Sequence, residues 1–480
     1  MSNWAEEEMA GAQLPDERFR KNAGFICERL AENSGVSFSV ATGHAGRQAA
    51  SRLFSNEKTS SDGLLYGHVE KTVERCGGHN VLLVPQDTTF LNYTSHVAKE
   101  GLGPIQGINQ KGLQAHSALA TTEAGVPLGI LHLDMWARDP KEKGVAARRR
   151  KRPVEDKESH KWIEGKQAVQ DSLSGHLDNG GHAVVIQDRE ADVFALFIDP
   201  RHPNLHLVVR AAHPRRVEIV GKPAAQVPQK AGAVSEPKKV PPLYLFDAVL
   251  NSPVLGTHTV VVPRKGKVAQ RAVCLELRAQ AVVLRAPNNG KASPLAYSEP
   301  LWIVDATEKI AFEQGDPQAG GRVERLSWTL ITTLPVSSAS EAQKIVEYYT
   351  RPWVIERLHL TLKSGIGIER LQFDDVNTLS NALAVCWIAA WRILWLTYQA
   401  RESPNQPSST VLEEDEEAVL EYVEGKTIAT VKEAITAIAK LGGYRPSPKA
   451  APPGVKALWT GLRKLEGMVE FYGIIKHRIS

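Results

Sequence analysis

Three carboxylates stand out by where they fall: Asp87 in VPQDTTFLNYT, Asp188 in VVIQDREADVF and Glu356 in YYTRPWVIERLHLTLKSG. The first two follow short apolar runs, Val81 to Val84 and Ala183 to Ile186, that read as buried strands. The third lies in a helical pattern beside Trp353, Arg357, His359 and Lys363. Sites in α/β sheets sit beyond strand ends, and Mg²⁺ binds through a few carboxylates, water and substrate phosphate oxygens. Two such ions can serve the attacking and leaving oxygens of a phosphodiester displacement. On spacing alone, an Asp at a strand end is more often a turn or cap residue. Other chemistries lack their marks, since no P-loop, HExxH or GxSxG pattern occurs.

The elements that must position these groups come from a chain of 480 residues, 42% hydrophobic and 23% charged, which excludes wholesale disorder and collagen-like repeats. Cys27, Cys76, Cys274 and Cys386 lie far apart without a CxxC pair, which speaks against a zinc site or a disulfide framework and fits a reducing cytoplasm. Glutamates occupy the N-terminal stretch where a secretion signal would be basic then apolar. Arg392 interrupts the most apolar run, Leu379 to Tyr398, so no bilayer span and no membrane partner is expected. The net charge of +4 is uneven: residues 138–161 hold ten Lys/Arg against five Asp/Glu, including RRRKR at 148–152. Such a run is usually a solvated loop; its functional reading is a phosphate-binding surface.

Residues 16–76 read as short helices: one capped by Asp16 with Phe19, Ala23, Ile26 and Leu30 on a face, a brief β-like run, GHAGRQAASRLF, and a third from Ser61 with Leu65, Val69 and Val73. Strand patterns follow at 81–84, 112–121 and 126–136, the last two joined by a Glu123-Ala124-Gly125 turn. A helix at 159–175, a strand at 183–186, a helix at 190–198 and a strand at 205–210 complete an order that indicates a mixed sheet with helices on its faces. The proline-rich stretch 213–242 reads as loop, and 243–333 as almost all strand, LYLFDAVL included. Helices resume at Ser338. Trp387, Trp391 and Trp395 form a core stripe, EEDEE at 413–417 reads as a solvated helix face, and LGGYRPSP as a helix stop.

Taken together, DTT-LxY around Asp87, DREAD at 188–192 and the Tyr349, Trp353, Ile355, Glu356, His359, Lys363 helix signature resemble the bacterial DDE transposases of the insertion-sequence-four family, the group of the transposon-five enzyme. AASRLF, KESHKW, VVRAAHPR and LGGY extend the resemblance along the chain. Pro352 occupies the place where that family usually has Arg, with Arg351 one residue earlier.

The resemblance implies an RNase H-like five-stranded mixed sheet with helices on both faces, a β-rich insertion at about 213–333, and helical N- and C-terminal domains. It divides the chain into 1–76 for binding DNA ends, 77–375 for catalysis and 376–480 for dimerisation. It implies that Asp87, Asp188 and Glu356 hold two Mg²⁺ ions, with Mn²⁺ as substitute, for end cleavage, hairpin formation and strand transfer in the bacterial cytoplasm. Arg210, Tyr349 and Lys363 match positions on the DNA end, Arg351 stands near the family's arginine, and Trp328 matches the tryptophan under a flipped base, with Trp353 in or near that pocket. Arg18, Arg20, Arg47 and Arg52 are the expected phosphate contacts of the N-terminal helices. The partners are double-stranded DNA, as transposon ends and target, and a second copy of the chain. A non-catalytic DNA-binding remnant or inhibitor of transposition is the alternative, motivated by Pro352.

Overall fold

The computed structural model describes residues 4–106, 109–140, 155, 157–221, 241–262, 270–287, 295–309, 325–351, 353–447 and 452–479. The basic run 148–152 and Pro352 lie outside these. In chain order come α1 (Trp4–Met9), α2 (Glu17–Glu32), α3 (Phe38–Phe54), α4 (Ser61–Cys76), β1 (Val81–Asn92), β2 (Gly103–Pro104), β3 (Lys111–Thr122), β4 (Pro127–Trp136), α5 (Lys161–Ser172), α6 (Ser174–Asp178) and β5 (His182–Gln187). Next are α7 (Phe194–Ile198), β6 (Leu205–Arg210), β7 (Val217–Ile219), α8 (Leu245–Leu250), β8 (Val254–Val262), β9 (Arg271–Leu284), β10 (Leu301–Glu308) and β11 (Ser327–Thr332). The chain ends with α9 (Ala339–Thr350), α10 (Trp353–Leu360), α11 (Val376–Glu402), α12 (Glu414–Glu424), α13 (Val431–Leu441) and α14 (Val455–Ile479).

Two compact units share these elements: Met1–Val145 with Asp171–Gly181 and Trp353–Ser480 make the first, Ala146–Gln170 with His182–Pro352 the second. In the first unit, β3 pairs antiparallel with β1 and β4, and at its start with β2. The expected hairpin forms, with Gly125 at φ 89° supplying the left-handed turn residue. The unit's centre is α11, whose Asp375 side chain accepts from the Thr378 N–H at 2.9 Å to start the helix. The run Leu379–Tyr398 is therefore one unbroken helix, Arg392 included, and 83% of its most apolar stretch is buried. A helix apolar all round must be enclosed, and α2, α3, α4, β4, α13 and α14 enclose this one. Arg392 is accommodated by lying over the rings of Trp4 and Trp395, at 5.1 and 4.6 Å.

The N-terminal helices differ from expectation in two places. The β-like run before GHAGRQAASRLF is helical from Phe38, broken only at Gly43 with φ 64°. The buried face of α4 is Leu64, Leu65, His68 and Thr72, rotated from the expected stripe because the His68 ring meets Glu8 at 2.5 Å and accepts from the Ile130 N–H at 3.0 Å.

In the second unit β5 and β6 are parallel, and β6, β11, β10 and β9 follow in antiparallel order, with β7 and β8 both on β9. This is a mixed sheet, and the last strand of the β-rich region pairs with β6 rather than standing apart. LYLFDAVL forms α8, not a strand: Leu245, Ala248 and Val249 bury one helical face. QRAVCLELRA and AVVLRA form the single strand β9. The expected helix at 190–198 is a 3₁₀ turn at Arg189–Ala191 followed by α7.

Candidate active site

Asp87 lies within β1, not at its end, because the strand continues through Thr88, Thr89 and Phe90, residues that suit a pleated surface. It stands opposite Ser117 of β3. The Thr88 N–H donates to Asp87 Oδ1 at 2.8 Å, and His359 Nδ1 of α10 stands 3.5 Å from Oδ2. His359 Nε2 is 3.2 Å from the Ser117 hydroxyl, so one buried imidazole links two residues that are cross-strand neighbours. Its ring faces the carboxylate with one nitrogen and the hydroxyl with the other, which fixes its orientation.

Glu356 is one turn before His359 on α10. Lost hydration raises its pKa, the negative charge of Asp87 raises it further, and His359 opposes both. Lys363, one turn beyond, lies on a π-helical segment, Thr361–Ile366, that ends at Gly367 with φ 77°. Burial lowers the pKa of Lys363, while Glu369 and Asp87 favour its charge. Among the described residues neither Asp87 nor Glu356 makes an ion pair with Lys or Arg. Two mutually repelling carboxylates form a place where a cation is electrostatically favoured. No cluster of three metal-capable side chains occurs among the described residues. Mg²⁺ commonly takes only one or two protein carboxylates, completing its shell with water and phosphate oxygens, so this pair fits that ion.

Asp188 belongs to the second unit, directly after β5, where its side chain caps a 3₁₀ turn by accepting from the Glu190 N–H at 2.8 Å. It is exposed, whereas Asp192 at the other end of DREAD is buried and accepts from the Ala212 and His213 N–H groups at 2.8 and 2.9 Å and from Arg215 Nε at 2.5 Å. Glu190 faces Lys161 at 3.3 Å, and Gln187 donates to the Trp162 carbonyl at 3.1 Å, which ties KESHKW to DREAD. The sequence reading did not single out Ser117, Asp192 or Arg215; their partners are set by strand register and by a turn 20 or more residues away.

The second unit also brings together Arg210, Trp328 and Tyr349. The rings of Trp328 and Tyr349 meet edge to face at 6.2 Å. Burial raises the Tyr349 pKa, and a hydrogen bond and charge from Arg210 lower it. Arg351 ends α9, exposed, with Nη2 3.5 Å from Glu347. Trp353 opens α10, in the first unit.

Arg18 and Arg20 are paired with Asp16 at 3.1 Å and Glu17 at 2.6 Å. Arg47 and Arg52 are exposed on α3 after the Gly43 break, beside His44, Gln48 and Ser51, and make no ion pair among the described residues. Spacings of three and four place these five on one side of the helix. Residues 1–59 match the Transposase DNA-binding family. That transposase segment takes in α1, α2 and α3. Similar solved structures include a cryo-EM piggyBac transposase synaptic complex with hairpin DNA, at 8% identity and a TM-score of 0.30 over 81% of this chain and 53% of that one. The chain thus spans about half the length of that protein.

Proposed function

We propose that the chain is a DNA transposase of the insertion-sequence-four kind, acting as a homodimer on transposon ends and target DNA in the bacterial cytoplasm. The match of residues 1–59 to transposase DNA-binding segments carries the reading. The repelling pair Asp87 and Glu356 supports the chemistry, and Asp188 supplies the third carboxylate of an RNase H-like core. Two Mg²⁺ ions, or Mn²⁺, would be held by these acids and would supply charge stabilisation to the displaced phosphodiester.

The protein's own groups divide the remaining work. Ser117 and His359 orient Asp87. Arg210 and Tyr349 hold a phosphate of the cut end, with Arg351 assisting, and Trp328 receives an unstacked base, while Lys363 and Trp353 serve the DNA end from the first unit. Arg47 and Arg52 bind end-DNA phosphates, while Arg18 and Arg20 contribute less because acids already neutralise them. The order 1–76 for DNA ends, 77–375 for catalysis and 376–480 for dimerisation completes the reading.

The deciding experiment scores excision and reinsertion of a marked cassette flanked by the native ends, for the parent and Asp188→Asn. The amide keeps an oxygen to cap the 3₁₀ turn, so folding and end binding are expected to persist while cleavage is abolished. Equal movement by both would remove Asp188 from the mechanism. End binding without metal-dependent cleavage in the parent would favour the non-catalytic remnant, a reading that Arg351, turned toward Glu347, also suits.

A further inference from the structure

The second unit contains a cavity of about 680 Å³ that shares only Arg210 and the neighbourhood of Asp188 with the proposed chemistry. Its place follows from strand register. Asp305 of β10 is opposite Thr329 of β11 and Arg278 of β9, and Thr307 is opposite Ser327. Cross-strand partners share a face and neighbours along a strand alternate. Asp305, Thr307, Ser327 and Thr329 therefore line one face, and Trp328 lies on the other. α8 covers the first face, since Arg278 donates to the Ser252 carbonyl just beyond it at 2.7 Å. The cavity lies there, with Phe246 and Leu250 of α8 as one wall and Arg189, Arg210 and Arg325 around it.

Asp305 is the anomaly. It is 3% exposed in the sheet, yet among the described residues its carboxylate receives two neutral donors, Thr307 Oγ1 at 2.8 Å and Thr329 Oγ1 at 2.9 Å. It makes no ion pair among the described residues, although Arg278 stands directly across the strand and turns instead to Ser252 and Glu276. A carboxylate has about four acceptor positions, and a buried one with two neutral donors is undercompensated. A bound cation would satisfy it, but the positive charges of Arg189, Arg210 and Arg325 in the lining oppose a cationic ligand. What suits both the carboxylate and the arginines is a ligand that carries paired N–H donors and, apart from them, an anion. Phe246 adds a flat apolar surface, and the volume is ordinary for a small-molecule site.

We propose that this cavity holds a guanine nucleotide, with N1–H and N2–H donating to Asp305, the base against Phe246 and the phosphate at Arg189 and Arg325. Guanine alone among the four bases places two donors side by side. Adenine and cytosine set a ring acceptor next to their amine, and thymine flanks its one N–H with carbonyl oxygens. The inference does not rest on transposition, because a protein that fails to cut DNA can still bind the nucleotide.

Equilibrium dialysis of the full chain against dGMP, dAMP, dCMP, dTMP and guanosine tests it. dGMP is expected to bind at least ~10-fold tighter than the other three nucleotides. Asp305→Asn should erase that preference in protein whose melting curve matches the parent. Arg325→Gln, at an exposed position, should weaken dGMP about 10-fold and leave guanosine unchanged. An oligo-dT strand with and without one central dG separates the sources: dG dependence only in the strand assigns an unstacked residue, and dGMP binding assigns the free nucleotide. No guanine preference in either form, a preference that survives Asp305→Asn, or unchanged dGMP affinity in Arg325→Gln would overturn the proposal.

Discussion

Asp188 and Asp192 share a five-residue motif but have opposite surroundings. Asp188 is exposed and caps one turn, so replacing it costs little stability. Asp192 is enclosed, with backbone donors and the Arg215 guanidinium converging on it. Asp192→Asn is therefore expected to cost about 3–5 kcal/mol in chemical denaturation, because it leaves Arg215 buried without its countercharge. Trp328→Ala should impair hairpin formation more than first-strand nicking; an equal fall in both rates would rule out base stacking there. At this scale the sequence showed acids at conspicuous places, and Asp188 does follow its strand. It could not show that Ser117 opposes Asp87 or that His359 bridges them, since both depend on the pairing of β1 with β3. Composition also gives no hint that Asp305 lies inside a sheet with hydroxyl donors and, among the described residues, no ion pair.

Elements with a strong local signal were legible: the Asp16 cap, the hairpin turn at Gly125, and the tryptophan stripe, with Trp387 and Trp391 buried. Those that failed did so where tertiary contacts overrode propensity. LYLFDAVL is rich in strand formers, yet its apolar residues also fit a short helix, and burial of Leu245, Ala248 and Val249 decides the matter. Near the C-terminus the glycines of LGGY do more than stop α13. A Cβ on Gly442 would fall 1.8 Å from the Ala457 carbonyl oxygen, and one on Gly461 would fall 1.9 Å from that of Ile438. The two helices touch backbone to backbone. Gly461→Ala should force them apart and cost about 1–3 kcal/mol, seen as a lowered melting temperature with the second unit's nucleotide binding intact.

Across the whole molecule, charge buried at helix junctions sets the pH response. Burial pushes Glu28 and Glu416 up to about 7, with neighbouring carboxylates adding to the shift. Both therefore hold protons more tightly folded than unfolded, and stability falls as pH rises from about 4.5 through 7. Glu8 behaves oppositely: burial alone would raise it, but His68 and Arg75 bring it down to about 2, so its contribution is lost as pH falls from 4.5 toward 2. Thermal melts between pH 3 and 8.5 should show greatest stability near pH 5, and Glu416→Gln should flatten the alkaline side. EEDEE was legible as a helix face but was read as solvated, whereas the docking of α12 turns Glu416 inward.

The burial of α2, α3 and α4 against α11 reaches into biosynthesis. Leu65 and Leu396 share one core, yet the ribosome makes them 331 residues apart. At about 5–20 residues per second, these N-terminal helices wait roughly 17–66 s for the surface that completes them. A fragment cut at residue 59 or 76 leaves that wait permanent, with Ile26, Leu30, Leu53 and Phe54 uncovered. The newborn chain must keep these helices from aggregating until nearly all of it has been translated.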